Sequence, residues 1–514
     1  MTQSEPVKRN GVVFIQKKWV QAVVLAVIGV IFYLLLGQEW ISIQDDTAAY
    51  LQPTGITGVM PVYPMFLFGI KSIFGESLQL DMVVIIQSVI AIICTMIFSF
   101  YIQQQFRLKF AETVLIYIAC MLPFSIYLPE TGITHQILTE GLCYALFYPY
   151  FLFLLHYTLT KRTRYLAVSL LFAVLLALTR SQLLFLLIVT ALDFVIVESV
   201  KDKTTGIVKK ILKVLLRTAL GIGGILIIVI MVYKVLGLYL TYQLPVIQER
   251  KQEAVMEEDA DEQPGRVEAD RTDTRANMSQ MTALLMIRGF YEADEEDVAL
   301  FDTEEMREIF RRVYRSVDDK QYRYVYARQD LYMWKDLVCD RIINVADVQV
   351  NADLQETPDV NLNAADVLNE LGWRVLWKHF DRYLYHTIRV MISAFIASVF
   401  WQIEKIYLLC HIITLFLFLF AVCGNIVCIR NGGNKKVIQF VCMAVGFIVI
   451  MVSVICAVFV GAQRYMVYAM GIFYCSMYLL VRELLFILAA KYPGNTMLVK
   501  LADFFNNNGS LYGE

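Results

Sequence analysis

Charge is what this sequence has least of. Asp, Glu, Lys and Arg make up 18% of its 514 residues and apolar types 58%, whereas soluble domains are about a quarter charged and about half apolar. A soluble metabolic enzyme is excluded on that ground. A disulfide framework is missing too. Of ten cysteines, all but Cys339 fall in apolar runs, where cysteine behaves as a small hydrophobe. Their spacing matches no metal motif. No tandem repeat or low-complexity tract stands out. No cleavable leader is expected, because the first apolar run, Val20–Leu36, is followed by acidic and aromatic residues rather than a small-residue cleavage site. The net charge of −2 conceals a segregation of charge along the chain, and nothing in it calls for a nucleic-acid partner.

What the chain does have is long apolar runs, and a bilayer crossing takes roughly 20 such residues. Ten candidate spans follow: Val20–Gly37, Met82–Tyr101, Ala111–Leu128, Ile137–Leu159, Tyr165–Leu178, Leu183–Val197, Val214–Leu236, Ile406–Ile429, Val437–Val460 and Tyr465–Val481. The expected fold is an all-α polytopic membrane protein. Basic residues gather before the first span (Lys8, Arg9, Lys17, Lys18) and after the second, fourth, sixth and eighth. Such residues favour the cytoplasm, which puts both termini inside and odd-numbered spans exiting outward. Tyr165–Val197 is too long for one untilted helix, and a single crossing would strand Arg180 in mid-bilayer. A short hairpin with Thr179, Arg180, Ser181 and Gln182 at its tip avoids that. Thr387–Trp401 is apolar but short and carries Arg389; it reads as an interfacial helix on the outer leaflet.

The domain plan is therefore an N-terminal membrane region (1–240) containing a first outer loop (38–80), a mostly helical extracytoplasmic domain (241–386) between spans seven and eight, a C-terminal membrane region (387–490) and a cytoplasmic tail (491–514). Phe310, Val313, Tyr314 and Val317 supply the helical spacing in the outer domain.

Polar residues converge on the outer side. Asp45 and Asp46 leave the first span in Gln44-Asp45-Asp46-Thr47-Ala48-Ala49-Tyr50, and Pro61-Val62-Tyr63-Pro64 precedes an apolar stretch, Met65–Ile70, read as a short membrane-dipping helix. One aspartate suits a general base toward an acceptor hydroxyl or amine; the other would orient the acceptor or hold a cation. The bland alternative is a solvated loop pair capping a helix. Glu140 opens the fourth span, and a carboxylate there faces a cavity or a partner charge, unless it is interfacial. His135 is either solvated or, with Asp46 and Glu140, a metal ligand; a divalent cation is the one cofactor considered. Arg180, beside Gln182, is the best phosphate ligand, because its planar donors match phosphate oxygens and keep their charge when desolvated. Its alternative is a buried pair with Glu140 or an Asp. Arg464-Tyr465 opens the last span as a second phosphate or sugar contact, or as an ordinary interfacial anchor.

Taken together, Asp45-Asp46-Thr47-Ala48-Ala49-Tyr50 with Tyr63-Pro64, Leu138-Thr139-Glu140, Leu178-Thr179-Arg180 and Arg464-Tyr465 resemble the membrane-embedded C-type glycosyltransferases, the clan of protein mannosyltransferases and bacterial aminoarabinose transferases. The resemblance is best over roughly the first 200 residues and absent from the central domain. Relatives often carry their outer domain after the last helix; here it interrupts the bundle. The resemblance implies an inverting transferase of a bacterial cytoplasmic membrane, with its active site facing outward. A polyprenyl-phosphate-linked sugar would be the donor and membrane lipids the surroundings, with the acceptor unspecified. It further implies a catalytic base at Asp45 or Asp46, lipid phosphate on Arg180 and Arg464, and a pocket including Tyr50, Tyr63, His135, Glu140, Gln182 and Tyr465. Two other classes fit the chain: a lipid-linked polysaccharide polymerase or ligase, and a lipid or polysaccharide transporter. The first needs no paired Asp; the second needs mid-membrane ionisable groups or interrupted helices in paired repeats.

Overall fold

The computed structural model describes residues 18–35, 40–43, 47–51, 60–125, 132–201, 293–317, 364–399, 407–458 and 467–505. Among these the chain is almost entirely helical and contains no β-strand; the one extended pairing is an isolated parallel bridge between Ser42 and Gln136. In chain order come α1 (Lys18–Leu35), a single turn α2 (Thr47–Leu51), α3 (Val62–Phe74), α4 (Gln79–Phe106), α5 (Phe110–Met121), α6 (Thr139–Thr160), α7 (Thr163–Thr179) and α8 (Phe185–Lys201). There follow α9 (Glu304–Val317), α10 (Ala364–Lys378), α11 (Phe380–Ala397), α12 (Tyr407–Arg430), α13 (Lys435–Val458), α14 (Met470–Lys491) and α15 (Thr496–Phe505). Six helical stretches are long and apolar enough to cross a membrane: Gln79–Phe106, Thr139–Thr160, Ser181–Glu198, Leu408–Arg430, Lys435–Cys456 and Val467–Lys491. Shorter apolar helices occupy Lys18–Tyr33, Val62–Phe74, Phe110–Met121 and Thr163–Thr179. The protein is a multi-pass membrane protein; its seventh expected span, Val214–Leu236, lies outside the described residues.

The central column is α6, which packs against α4, α7, α8 and α13. It is buried on all sides because its sequence is apolar or aromatic all round, the pattern of a core helix. Three of its tyrosines, Tyr144, Tyr148 and Tyr150, keep their hydroxyls bonded inside the bundle. Tyr144 and Tyr148 donate to the Cys120 carbonyl of α5 at 2.6 and 2.8 Å. Gly471 lets α14 press against this pair, since a Cβ there would lie 2.4 Å from the Tyr148 hydroxyl and 2.9 Å from Cys120 Cα.

The two ends of the bundle differ. One end collects basic turns from both halves of the chain: Lys436 reaches Gln105 at 3.5 Å, Phe106 packs on Phe440, and Arg482 donates to the Phe106 carbonyl. There α4 and α6 both terminate on a basic residue in the left-handed conformation, Arg107 (φ 51°) and Lys161 (φ 60°), positive charge at the negative end of each helix dipole. At this basic end Arg482 Nε lies 2.9 Å from Glu112 Oε1, which also accepts the Tyr478 hydroxyl at 2.9 Å. Glu112 Oε2 accepts the Lys109 backbone N–H at 2.7 Å. The opposite end carries the N-terminus of α6 and the turn between α7 and α8.

Several expected boundaries move. The third span was expected to be helical to Leu128; α5 stops at Met121 and passes into a 3-10 turn, Leu122–Ser125, because Pro123 has no N–H to continue the ladder. The last span was expected to end at Val481, before Arg482-Glu483; α14 runs on to Lys491, because Arg482 is neutralised inside by Glu112. The tail is not loose at its start, since α15 folds back on α14. Of Thr387–Trp401, Thr387–Ala397 is the latter part of a longer helix, α11, which packs on α13 and α12; Phe400 and Trp401 lie outside the described residues. The dip at Met65–Ile70 lies in α3, which buries Tyr63, Leu67 and Ile70 against the bundle.

Of the expected outer domain, α9, α10 and a 3-10 turn (Glu295–Leu300) are described. They meet at Asp297, which is fully buried and accepts Lys378 Nζ at 2.5 Å and His379 Nε2 at 2.9 Å. Burial pushes its carboxyl upward, but the bonds from Lys378, the Asp294 backbone N–H and His379 outweigh that and hold it below the usual carboxylate range.

Candidate functional site

The site is built where α6 begins and α7 ends. Glu140 stands in the first turn of α6 and Arg180 directly follows α7, so each charge sits at the helix terminus whose dipole favours it. The break at Arg180 is local in origin. Its backbone is extended (φ −150°, ψ 120°), its N–H still bonds to Leu176 O, and a 3-10 turn, Ser181–Leu184, restarts the chain into α8. The expected hairpin tip is therefore present as two helices packed on each other.

Arg180 Nη1 pairs with Glu140 Oε2 and donates to Thr139 Oγ1 at 2.8 Å; its Nε donates to Gln182 Oε1 at 2.7 Å. The Thr139 hydroxyl in turn lies 3.0 Å from Glu140 Oε2. The side chains are 2% exposed for Glu140 and 10% for Arg180. A guanidinium so placed is fully charged, oriented by neighbouring side chains and nearly dry. Such a group binds an oxyanion strongly, and a phosphate entering here must displace or share the Glu140 carboxylate.

The first loop is fastened over this end. Ser42 N–H donates to His135 O at 3.0 Å, Ile137 N–H to Ser42 O at 3.1 Å, and Thr47 Oγ1 to Ile137 O at 3.2 Å. Asp45 and Asp46 lie outside the described residues. Residues on either side of them, Ser42 and Thr47, are thus bonded to the stretch that leads into Glu140. Trp40 adds an edge-on contact with His135 at 5.3 Å and a hydrogen bond to Asp81 Oδ1 at 2.7 Å.

The expected pocket residues divide. Glu140, Arg180 and Gln182 come together. Tyr63 is buried nearby, its hydroxyl donating to Gln87 Oε1 at 3.2 Å, and Tyr50 meets its ring edge-on at 5.3 Å. His135 is not solvated: it is buried, and its Nε2 lies 2.5 Å from the Tyr33 carbonyl near the end of α1. The structure uses it to latch α1 to the loop before α6. Among the described residues no three His, Cys, Asp or Glu side chains cluster as metal ligands. Arg464 and Tyr465 lie outside the described residues; a little further on, Tyr468 packs against Phe147 of α6 at 6.2 Å.

Three supporting residues were not singled out from the sequence. Gln87 Nε2 donates to the carbonyls of Thr134 and Gln136 at 3.1 and 3.3 Å, and Ser88 Oγ donates to Thr134 Oγ1 at 3.0 Å. Thr139 completes the set by bonding both members of the ion pair. The available signal was an amide and a hydroxyl side by side inside an apolar span, since buried polar groups in a bilayer need partners. No protein-family model, characterised protein or solved structure matches this chain.

Proposed function

We propose that the protein transfers a sugar from a polyprenyl-phosphate donor to an acceptor of the cell envelope, a glycan, glycolipid or protein, on the outer face of the cytoplasmic membrane. The observation that carries this reading is the Arg180 guanidinium. It is held almost dry at the end of the bundle opposite the basic turns, under a loop whose bonded residues flank Asp45 and Asp46. In this reading one of these aspartates takes the proton from an acceptor hydroxyl as that oxygen attacks the anomeric carbon. The bond from that carbon to the phosphate oxygen breaks, and configuration inverts. Polyprenyl phosphate leaves with its charge stabilised by Arg180, and Arg464 provides a second phosphate contact. Glu140 keeps Arg180 oriented before the donor arrives.

Parity supports the ten-span topology on which this rests. α8 ends at the basic end and α12 begins at the other, so the intervening chain makes an odd number of crossings. In this reading the crossing is Val214–Leu236, whose two charges, Arg217 and Lys234, lie near its ends, whereas α11 carries Asp381, Arg382 and Arg389; the domain after it then lies outside. The basic end faces the cytoplasm by the usual charge bias.

The test is purified protein in bilayers given a panel of polyprenyl-phosphate sugars, reading release of polyprenyl phosphate. Release that depends on Arg180 supports the assignment. Elongation of lipid-linked glycan without such release would replace it with the polymerase reading.

A further inference from the structure

The basic end carries a feature that the transferase reading does not use. Helix α15 is joined to α14 by a tight elbow: Tyr492 N–H bonds to Leu488 O, Asn495 N–H to Tyr492 O, and Asn495 Oδ1 caps Leu498 N–H at 3.2 Å. Its far end is tied back to the bundle by two cations from different spans. Arg482 Nη2 donates to the Phe505 carbonyl at 2.9 Å, and Lys109 Nζ to that of Phe504. The helix is therefore held at both ends across the end of the bundle.

Nine of its ten residues sort into three faces by helical spacing, with Val499 between the first two. Leu498, Ala502 and Phe505 form the first, with Ala502 buried against the bundle. Thr496, Lys500 and Asp503 form a polar face. Met497, Leu501 and Phe504 form a third, apolar face that is 78%, 44% and 66% exposed, with Lys109 Nζ 5.2 Å from the Phe504 ring centroid. On α14, Val481 and Leu488 are exposed as well, as residues facing acyl chains are in a multi-pass protein. At the elbow an open groove of about 940 Å³ has apolar walls at Leu488 and Leu498, with Lys491, Tyr492, Asn495 and Thr496 also lining it.

We infer that α15 lies in the headgroup layer of the leaflet at the basic end and that the α14–α15 elbow binds an acidic phospholipid of that leaflet. Met497, Leu501 and Phe504 enter the acyl boundary, as in interfacial helices generally. An acyl chain follows Leu488 and Leu498, and the phosphate meets Lys491. Lys500 on the polar face adds attraction to the anionic surface, partly offset by Asp503. This site is independent of the transferase assignment and stands or falls apart from it.

The experiment uses the full-length protein in bilayers of phosphatidylcholine with and without phosphatidylglycerol. Leu501→Trp and, separately, Met497→Trp report position through quenching by brominated phosphatidylcholine, measured against the parent protein. Phospholipid retained after extraction is read by native mass spectrometry. The expected result is quenching of either added tryptophan by brominated lipid. Phosphatidylglycerol should be retained over phosphatidylcholine, and Lys491→Gln should lower that preference by about fivefold, the weight of one lysine at an anionic surface. Quenching by aqueous iodide and not by brominated lipid would overturn the placement of α15. Equal retention of the two lipids, or a preference unchanged in Lys491→Gln, would overturn the binding site.

Discussion

Among the described residues there are two buried arginine–glutamate pairs, one at each end of the bundle, and they are built differently. Glu112–Arg482 at the basic end and Glu140–Arg180 at the other are almost equally hidden, at 4% and 12% against 2% and 10% exposure. Arg482, however, also donates to two backbone carbonyls, those of Phe106 and Phe505, and Glu112 accepts a backbone N–H. These partners are helix ends, which have unmet backbone groups wherever the chain turns. Arg180 is held by the side chains of Thr139, Gln182 and Glu140. Side chains change partner without unwinding a helix; backbone caps do not. The first pair is a clasp, and the second has the makings of a site.

The largest expected effect is on activity. On the proposed reading, in which Asp45 or Asp46 is the base, Asp45→Asn or Asp46→Asn should lower transfer by roughly 10²–10⁴-fold with the protein still inserted and folded. If both single variants keep near-normal release of lipid phosphate, the first loop has no catalytic role. Next come the pairs themselves. Either Arg482→Leu or Glu112→Leu alone strands a buried charge and costs about 3–5 kcal/mol, and the double variant recovers most of that stability. At the other pair, Arg180→Leu with Glu140→Leu should likewise fold but be inactive, while Arg482→Leu with Glu112→Leu keeps transfer. A double Arg180/Glu140 variant that regains activity would make the two pairs equivalent and end the phosphate reading. Arg180→Lys keeps charge without the planar fork and should fall between parent and Arg180→Ala in donor affinity.

A smaller effect is steric. Gly471→Ala places a methyl against Tyr148 and Cys120 Cα and should cost about 1–3 kcal/mol in thermal or denaturant unfolding. No loss there would mean that α14 can shift away from α5 at little cost. The smallest concerns Asp297. Its folded carboxyl titrates below the unfolded one, so its contribution is present above the unfolded value, about pH 3.9, and is lost as pH falls through the folded one. Amide exchange in α10 should therefore accelerate on acidification below about pH 4 in the parent protein and depend less on pH in Asp297→Asn.

Much of this was written in the sequence because the bilayer is an unforgiving solvent. A run of apolar residues long enough to cross must become a helix with its backbone bonds closed internally. Glu140 and Arg180 were legible for the same reason: charges at the edges of apolar runs are too costly to be idle. The break of Tyr165–Val197 at Arg180 followed from its length and from the cost of stranding Arg180 in mid-bilayer. What the tertiary structure decided was partnership. Arg482 looked like the end of a span because the opposite charge beside it in the chain, Glu483, is its i+1 neighbour and does not face it on a helix. Its partner, Glu112, is 370 residues away in sequence and adjacent in space. His135 read as solvated in one of its alternatives until folding buried it and placed the Tyr33 carbonyl against its Nε2. Gln87 and Ser88 passed as isolated polar residues of a span until the loop before Glu140 came to rest on them. Hydrophobic length is a local property that each segment carries alone, whereas the pairing of buried polar groups depends on which helices meet, and only the packed bundle fixes that.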